Sequence, residues 1–190
     1  MRLFVALDIP ESVRHEFREL IARLKPEYNG ARWVRPEGMH ITLKFLGEAD
    51  ETKLDPIRAA LSSVHSRQTV KSDFRGIGFF PNEFHPRVVW CGIEASPRLP
   101  QLAADVNRAL QALGFPDESH HFTPHLTLAR FNSDKGLDTL VRTANNLKSY
   151  DFGSARSSEF HLYQSFLKPS GAEYTRLATF PFVQEERRDR

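Results

Sequence analysis

The 190-residue sequence predicts an α+β fold built from two similar lobes that face one another across a cleft. Three observations predict it. Strand-like and helix-like runs follow one another so that helices return to mostly antiparallel sheet. No linker is long enough to separate independent units, so residues 1–190 read as one domain. The tetrapeptide His-x-Thr-Leu occurs at residues 40–43 and again at 125–128, each time in a strand-like run that precedes a helix-like one.

Taken in order, "RLFVALDI" is apolar and β-favouring and reads as a buried strand. Asp8 and Glu11 have the spacing of a capping box. Val13, Phe17, Leu20, Ile21 and Leu24 then recur at helical spacing, predicting an amphipathic helix over residues 10–25. "ARWVR" and "MHITLKFLG" are strands separated by a turn at residues 36–38. Leu54, Ile57, Leu61 and Val64 mark a second helix. "VKSDFRGIGFF" and "RVVWCGIEA" are strands joined by the loop "PNEFHP". Leu99, Leu102, Val106, Leu110 and Leu113 stripe a third helix that stops near Gly114. "HLTLARF" is a strand, a helix follows around residues 137–147, and "SSEFHLYQSFL" and "EYTRLATFPFV" close the fold. The tail "QEERRDR" reads as a solvated end.

Composition narrows the function. Lys and Arg outnumber Asp and Glu by 26 to 24, so no global charge marks a nucleic-acid binder, and any nucleic acid must be read locally. Cys91 is the only cysteine, which excludes an intramolecular disulfide and a cysteine zinc site, and "VVWCGI" reads as buried strand. The opening apolar run stops at Asp8, too soon for a signal-peptide core, and nothing resembles a membrane span. A cytoplasmic protein is expected, and a monomer is the simpler expectation.

Side chains alternate along a strand, so His40, Thr42 and Lys44 are expected on one face and Ile41, Leu43 and Phe45 on the other, buried one. His125 and Thr127 repeat the arrangement. Two imidazoles and two hydroxyls converging across a cleft suit in-line displacement at phosphorus. One histidine takes a proton from the attacking oxygen and the other protonates the departing one, each step worth ~10²–10⁴-fold. The threonine hydroxyls can hold the non-bridging oxygens, and Lys44 can add positive charge. By strict alternation Arg130 points away from His125 unless a bulge intervenes. The motifs are nearly symmetric, so the residues alone do not say which histidine is acid and which is base.

The remaining histidines carry less. His120, His121 and His125 invite a metal reading, but Pro124 interrupts any helix that would align them, and no carboxylate or cysteine accompanies them at ligand spacing. No metal and no cofactor are expected. His15 and His65 lie on helix patterns and His85 in a loop. His161 alternates with apolar residues in a late strand.

At the two motifs the chain resembles the 2H phosphoesterase superfamily, named for paired His-x-Thr/Ser motifs. "RLFVALDIP", "WVRPEGMHITLKFLGE", "PRVVWCGI", "FTPHLTLAR" and "LYQSFLKPSGAEYTRL" are similar to phrases of the bacterial and archaeal RNA 2',3'-cyclic phosphodiesterases, historically called 2'-5' RNA ligases. The resemblance covers nearly the whole chain. It implies a bilobal 2H phosphoesterase fold and metal-independent opening of an RNA-terminal 2',3'-cyclic phosphate to a 2'-phosphomonoester. It also implies that His40 is the proton donor, His125 the proton acceptor, and Thr42 and Thr127 the phosphate holders, with Arg130 as a possible substrate contact; Lys44 is another by its place on the His40 face. The expected partners are RNA 3' ends bearing a cyclic phosphate, or small cyclic nucleotides. Two alternatives stand beside this reading: an RNA 2'-5' ligase, and a catalytically idle RNA-end or nucleotide-binding protein.

Overall fold

The computed structural model describes residues 1–28, 30–65, 69–116, 122–133, 135–168 and 171–182. In chain order the elements are β1 (Arg2–Asp8), α1 (Glu11–Leu24), β2 (Ala31–Trp33), β3 (His40–Glu48), α2 (Leu54–Ser62), β4 (Val70–Phe80), β5 (Val88–Ala95), α3 (Arg98–Gln111), β6 (His125–Phe131), α4 (Asp138–Asn145), β7 (Asp151–Ser157), β8 (Glu159–Lys168) and β9 (Gly171–Pro181). They form the bilobal α+β fold expected from the sequence. One lobe holds a sheet ordered β3-β1-β8-β9, the other a sheet ordered β2-β6-β5-β4-β7. Every neighbouring pair is antiparallel.

The internal repeat is visible in the chain path. A strand, a helix, a motif strand and a helix run as β1, α1, β3, α2, and again as β5, α3, β6, α4. In each sheet the motif strand pairs with the strand that opens its repeat, β3 with β1 and β6 with β5. The first helix of the first repeat crosses to the opposite lobe, and that of the second packs on both lobes. α1 packs on β7, and α3 packs on β3 and β4. Phe17 of α1 stacks on Phe152 with ring centroids 4.9 Å apart and meets Phe74 edge-on at 6.1 Å. All three rings are buried. These helices join both lobes through one contiguous apolar core, and burial of large aromatic rings supplies much of its driving force.

Three local features depart from the sequence reading. The capping box at Asp8 and Glu11 does not form: Pro10 is the N-cap residue of α1 and no side chain caps it. β2 leaves the lobe of its neighbour β3 and pairs with β6 in the other sheet. β7, a strand the pattern does not show, lies at the edge beside β4. Its sequence, DFGSARS, buries only Phe152 and Ala155, too few apolar positions for a legible period.

Cys91 is fully buried, and burial pushes its thiol upward, away from reactivity. Among the described residues no helix is long and apolar enough to cross a membrane.

The edge of the second sheet depends on Gly76, which has φ +70° and sits at a bulge in β4. A Cβ there would lie 2.3 Å from the Lys148 carbonyl oxygen. Gly76→Ala is expected to cost roughly 2–4 kcal/mol through strain and overpacking. Urea unfolding checks this, and a change below about 0.5 kcal/mol would contradict it.

Candidate active site

His40 opens β3 and His125 opens β6, so each imidazole stands at the mouth of its sheet. The two motif strands come into contact although they belong to different sheets. Each ring is held in the same way. His40 Nδ1 lies 2.8 Å from the Gly38 carbonyl oxygen, and His125 Nδ1 lies 2.8 Å from the Thr123 carbonyl oxygen. A carbonyl only accepts, so Nδ1 carries the proton in both rings and Nε2 is left for a ligand. Among the described residues neither the Thr42 nor the Thr127 hydroxyl is hydrogen-bonded within the protein.

Both motifs also share a bulge. On β3 the register passes from Ala6↔Thr42 to Val5↔Lys44, leaving Leu43 as the extra residue. On β6 it passes from Trp90↔Thr127 to Val89↔Ala129, leaving Leu128 as the extra residue. One extra residue reverses the alternation that follows it. Leu43 and Lys44 are therefore both buried and Phe45 is 55% exposed, and likewise Leu128 and Ala129 are buried and Arg130 is exposed.

The expectation for Lys44 is corrected by this geometry. Lys44 turns from the His40 face toward α3 and is only 1% exposed. Its ammonium donates to Asn107 Oδ1 at 2.5 Å and to the Pro116 carbonyl at 2.7 Å. Phe45, expected in the core, takes the His40 face in its place. Arg130 gains from the same device, because the Leu128 bulge returns it to the face of His125 and Thr127.

The surroundings of the two histidines differ. His40 stacks on Phe4 at 4.5 Å and Tyr163 at 6.4 Å, and meets Tyr174 edge-on at 5.1 Å. Burial there pushes its imidazole down to about 4, against the opposing pull of the Gly38 hydrogen bond and the charge of Asp8. His125 is flanked by Phe80, edge-on at 5.1 Å, and by Trp90 at 6.5 Å. Trp90 fits because Gly78 faces it, where a Cβ would fall 2.4 Å from the indole ring.

Asp8, the cross-strand partner of His40, anchors a network that the sequence does not announce. Tyr163 donates its hydroxyl to Asp8 Oδ1 at 2.5 Å, and Arg176 donates to Asp8 Oδ2. His161, 1% exposed, places Nε2 at 3.6 Å from both Asp8 and Glu159, and its Nδ1 meets the Thr179 hydroxyl at 3.0 Å. Burial lowers its proton affinity, offset by Asp8. Burial and the bond to Asp8 push the Tyr163 hydroxyl up to about 12. The one advance signal was β1 periodicity, which puts Asp8 on the face of Phe4 and Ala6. His120 and His121 lie outside the described residues, and among the described residues no group of three or more His, Cys, Asp or Glu is arranged to hold a metal ion.

The LigT like Phosphoesterase family model matches residues 7–90 and 93–174. An RNA 2',3'-cyclic phosphodiesterase of Archaeoglobus fulgidus is 39% identical over 181 residues, covering 95% of this chain and 99% of that protein. One from Methanocaldococcus jannaschii is 36% identical over 174 residues, covering 92% and 96%. Among solved structures, a Thermus thermophilus protein superposes with a TM-score of 0.79 at 32% identity, covering 98% of this chain and all of that one. E. coli LigT complexed with 3'-AMP gives 0.77 at 27% identity, covering 96% and 98%.

Two outcomes check this geometry. Lys44→Ala leaves a cavity and two unpaired acceptors, so it is expected to destabilise by about 2–4 kcal/mol in urea unfolding. A change near zero would put Lys44 back in the cleft. Separately, folded His40 holds its proton only below about 4, whereas an unfolded histidine does so below 6.5. The unfolded chain therefore protonates first, and stability falls as pH drops from about 6.5 to about 4, by about 1.4 kcal/mol per pH unit at most. Thermal unfolding across that window should be less acid-sensitive in His40→Gln than in the wild type. Equal sensitivity would contradict the burial of His40.

Proposed function

The chain belongs to the LigT-like phosphoesterase family, and from that premise we propose that it is an RNA 2',3'-cyclic phosphodiesterase worked by His40 and His125. The observation that carries the reading is the matched pair of imidazoles, each with Nδ1 tied to the carbonyl two residues earlier and Nε2 left for substrate. Binding alone does not need two such groups, and a proton-transfer reaction does.

In the proposed step, a water oxygen attacks the phosphorus of the cyclic phosphate while His125 Nε2 takes its proton. The bond from phosphorus to the 3' oxygen breaks, and His40 Nε2–H gives its proton to that oxygen. The product is a 2'-phosphomonoester beside a free 3' hydroxyl, and solvent exchange returns the proton from His125 to His40. Thr42 and Thr127 donate to the non-bridging oxygens, and Arg130, on the His125 face, adds positive charge where the transition state carries negative charge. The pair supplies both proton transfers, so no metal ion enters the step.

The donor role falls to His40 through the family resemblance, and its surroundings are compatible with that role. A buried imidazolium that holds its proton weakly is a strong acid toward a leaving oxygen. The anionic phosphate and Asp8 both favour loading that proton when substrate binds. The Asp8 network therefore matters for charge as well as for position. Related solved structures of E. coli LigT contain 3'-AMP, ATP or NADP+, which supports a nucleotide-sized ligand for this cleft. RNA rather than DNA follows from the chemistry, because a 2',3'-cyclic phosphate requires a ribose 2' oxygen.

His40→Ala and His125→Ala are each expected to lower kcat/KM on a cyclic-phosphate-ended RNA by about 10²–10⁴-fold. Wild-type turnover should persist in excess EDTA, with a product that ³¹P NMR identifies as the 2'-phosphate. Full activity in either variant would overturn the assignment, and a ligated product with added 5'-hydroxyl RNA would favour 2'-5' ligation instead.

A further inference from the structure

Tyr174 is a junction between the candidate site and a group of arginines. Its ring meets His40 at 5.1 Å and Phe4 at 5.2 Å, both edge-on. Burial raises its hydroxyl's proton affinity, and the charges of Arg130, Arg2 and Arg35 pull it down. The three guanidiniums come from separate parts of the fold. Arg130 comes from β6, Arg2 from β1, and Arg35 from the segment between β2 and β3.

Arg2 is aligned by the sheet itself. It pairs with Ser165 on β8, and Ser165 pairs with Tyr174 on β9, so the three share one face with small Ser165 in the middle. Among the described residues neither Arg2 nor Arg130 forms an ion pair or a side-chain hydrogen bond. Arg35 lies 3.8 Å from Glu173, but Lys168 holds that carboxylate at 2.5 Å. Glu48 stands opposite Arg2 in register but lies 3.6 Å from the Met1 ammonium, so among the described residues Arg2 and Arg130 carry positive charge without an ion pair in a protein whose formal net charge is only +2. Clustering like charges is unfavourable unless an anion relieves it.

One cyclic phosphate does not account for all of it. Arg2 is rooted at the far end of β1 from Asp8, the partner of His40, about 20 Å away along an extended strand. Between them on the same face, the ring of Phe45 sits 6.1 Å from Phe4 and is 55% exposed. A second bulge, at Leu46, follows it directly, so Phe45 stands on the His40 face between two register shifts. Guanidiniums beside an exposed ring are the elements that bind single-stranded nucleic acid without reading its sequence.

We propose that Arg2, Arg35 and Phe45 form a second subsite that takes the phosphodiester and base preceding the cyclic end. The preferred substrate is then the end of an RNA chain and not a free cyclic nucleotide. This inference rests on the phosphodiesterase reading above and adds the direction in which the chain leaves the site, along β1 toward Arg2.

The test compares kcat/KM for a five-nucleotide RNA ending in a 2',3'-cyclic phosphate with that for cytidine 2',3'-cyclic phosphate. Arg2→Gln and Phe45→Ala are each expected to lower the oligonucleotide-to-mononucleotide ratio by about 5–20-fold. In Arg2→Gln the salt dependence of oligonucleotide binding should weaken by about 0.7 in log–log slope. A ratio unchanged in both variants overturns the subsite. Wild-type failure on both substrates would instead overturn the phosphodiesterase reading. Fluorescence anisotropy of the same RNA ending in a 2'-phosphate would then decide the subsite alone, with equal affinity in wild type and Arg2→Gln counting against it.

Discussion

A hydrogen bond from each motif imidazole to the carbonyl two residues earlier is the constraint on which the site depends. It is local, so it forms wherever the chain enters a strand with that geometry, and it occurs at the start of both β3 and β6. Its effect is to occupy Nδ1 and leave Nε2 of both rings open to a ligand. The rest of the fold brings the two copies together. Each motif strand is the partner of its repeat's first strand, and the helices α1 and α3 tie the lobes into one core.

The bulges at Leu43 and Leu128 are the second half of the device. Each lets two successive side chains enter the core and returns the third to the face of the motif histidine. In one lobe the returned residue is Phe45, in the other Arg130, so one backbone feature supplies an aromatic face on one wall and a cation on the other. The residue buried by each bulge differs as well. Ala129 fills its place with a methyl group, whereas Lys44 must carry its ammonium to Asn107 and the Pro116 carbonyl. A buried ammonium survives only when it is hydrogen-bonded in this way.

Strand and helix periods made most of the architecture legible, and the repeated His-x-Thr-Leu located the centre of the candidate site. What stayed hidden follows from physical causes. A bulge adds no residue type that a period-two reading can detect, so Lys44 and Phe45 were assigned to each other's faces. Asp8 was read as a helix cap because spacing is a local signal, while its partners Tyr163 and Arg176 lie far along the chain. β2 is three residues long and joins the other lobe, and β7 is too polar to show a pattern. His161 looked like one histidine among apolar neighbours. Its contact with Asp8 appears only when β8 is laid against β1.

The near-symmetry of the motifs is broken by what surrounds them. His40 is walled by Phe4, Tyr163 and Tyr174 with one carboxylate in reach, and His125 by Phe80 and Trp90. Burial among the His40 rings lowers the proton affinity of that imidazole. Whether two identically pinned imidazoles serve one site is read from ¹⁵N NMR of the ring nitrogens with and without a nucleoside 2'-phosphate. Nδ1 is expected to be protonated in neutral His40 and His125, and both Nε2 resonances are expected to shift when the ligand binds. An Nε2–H tautomer in either ring, or a ligand response confined to one of them, would contradict this expectation.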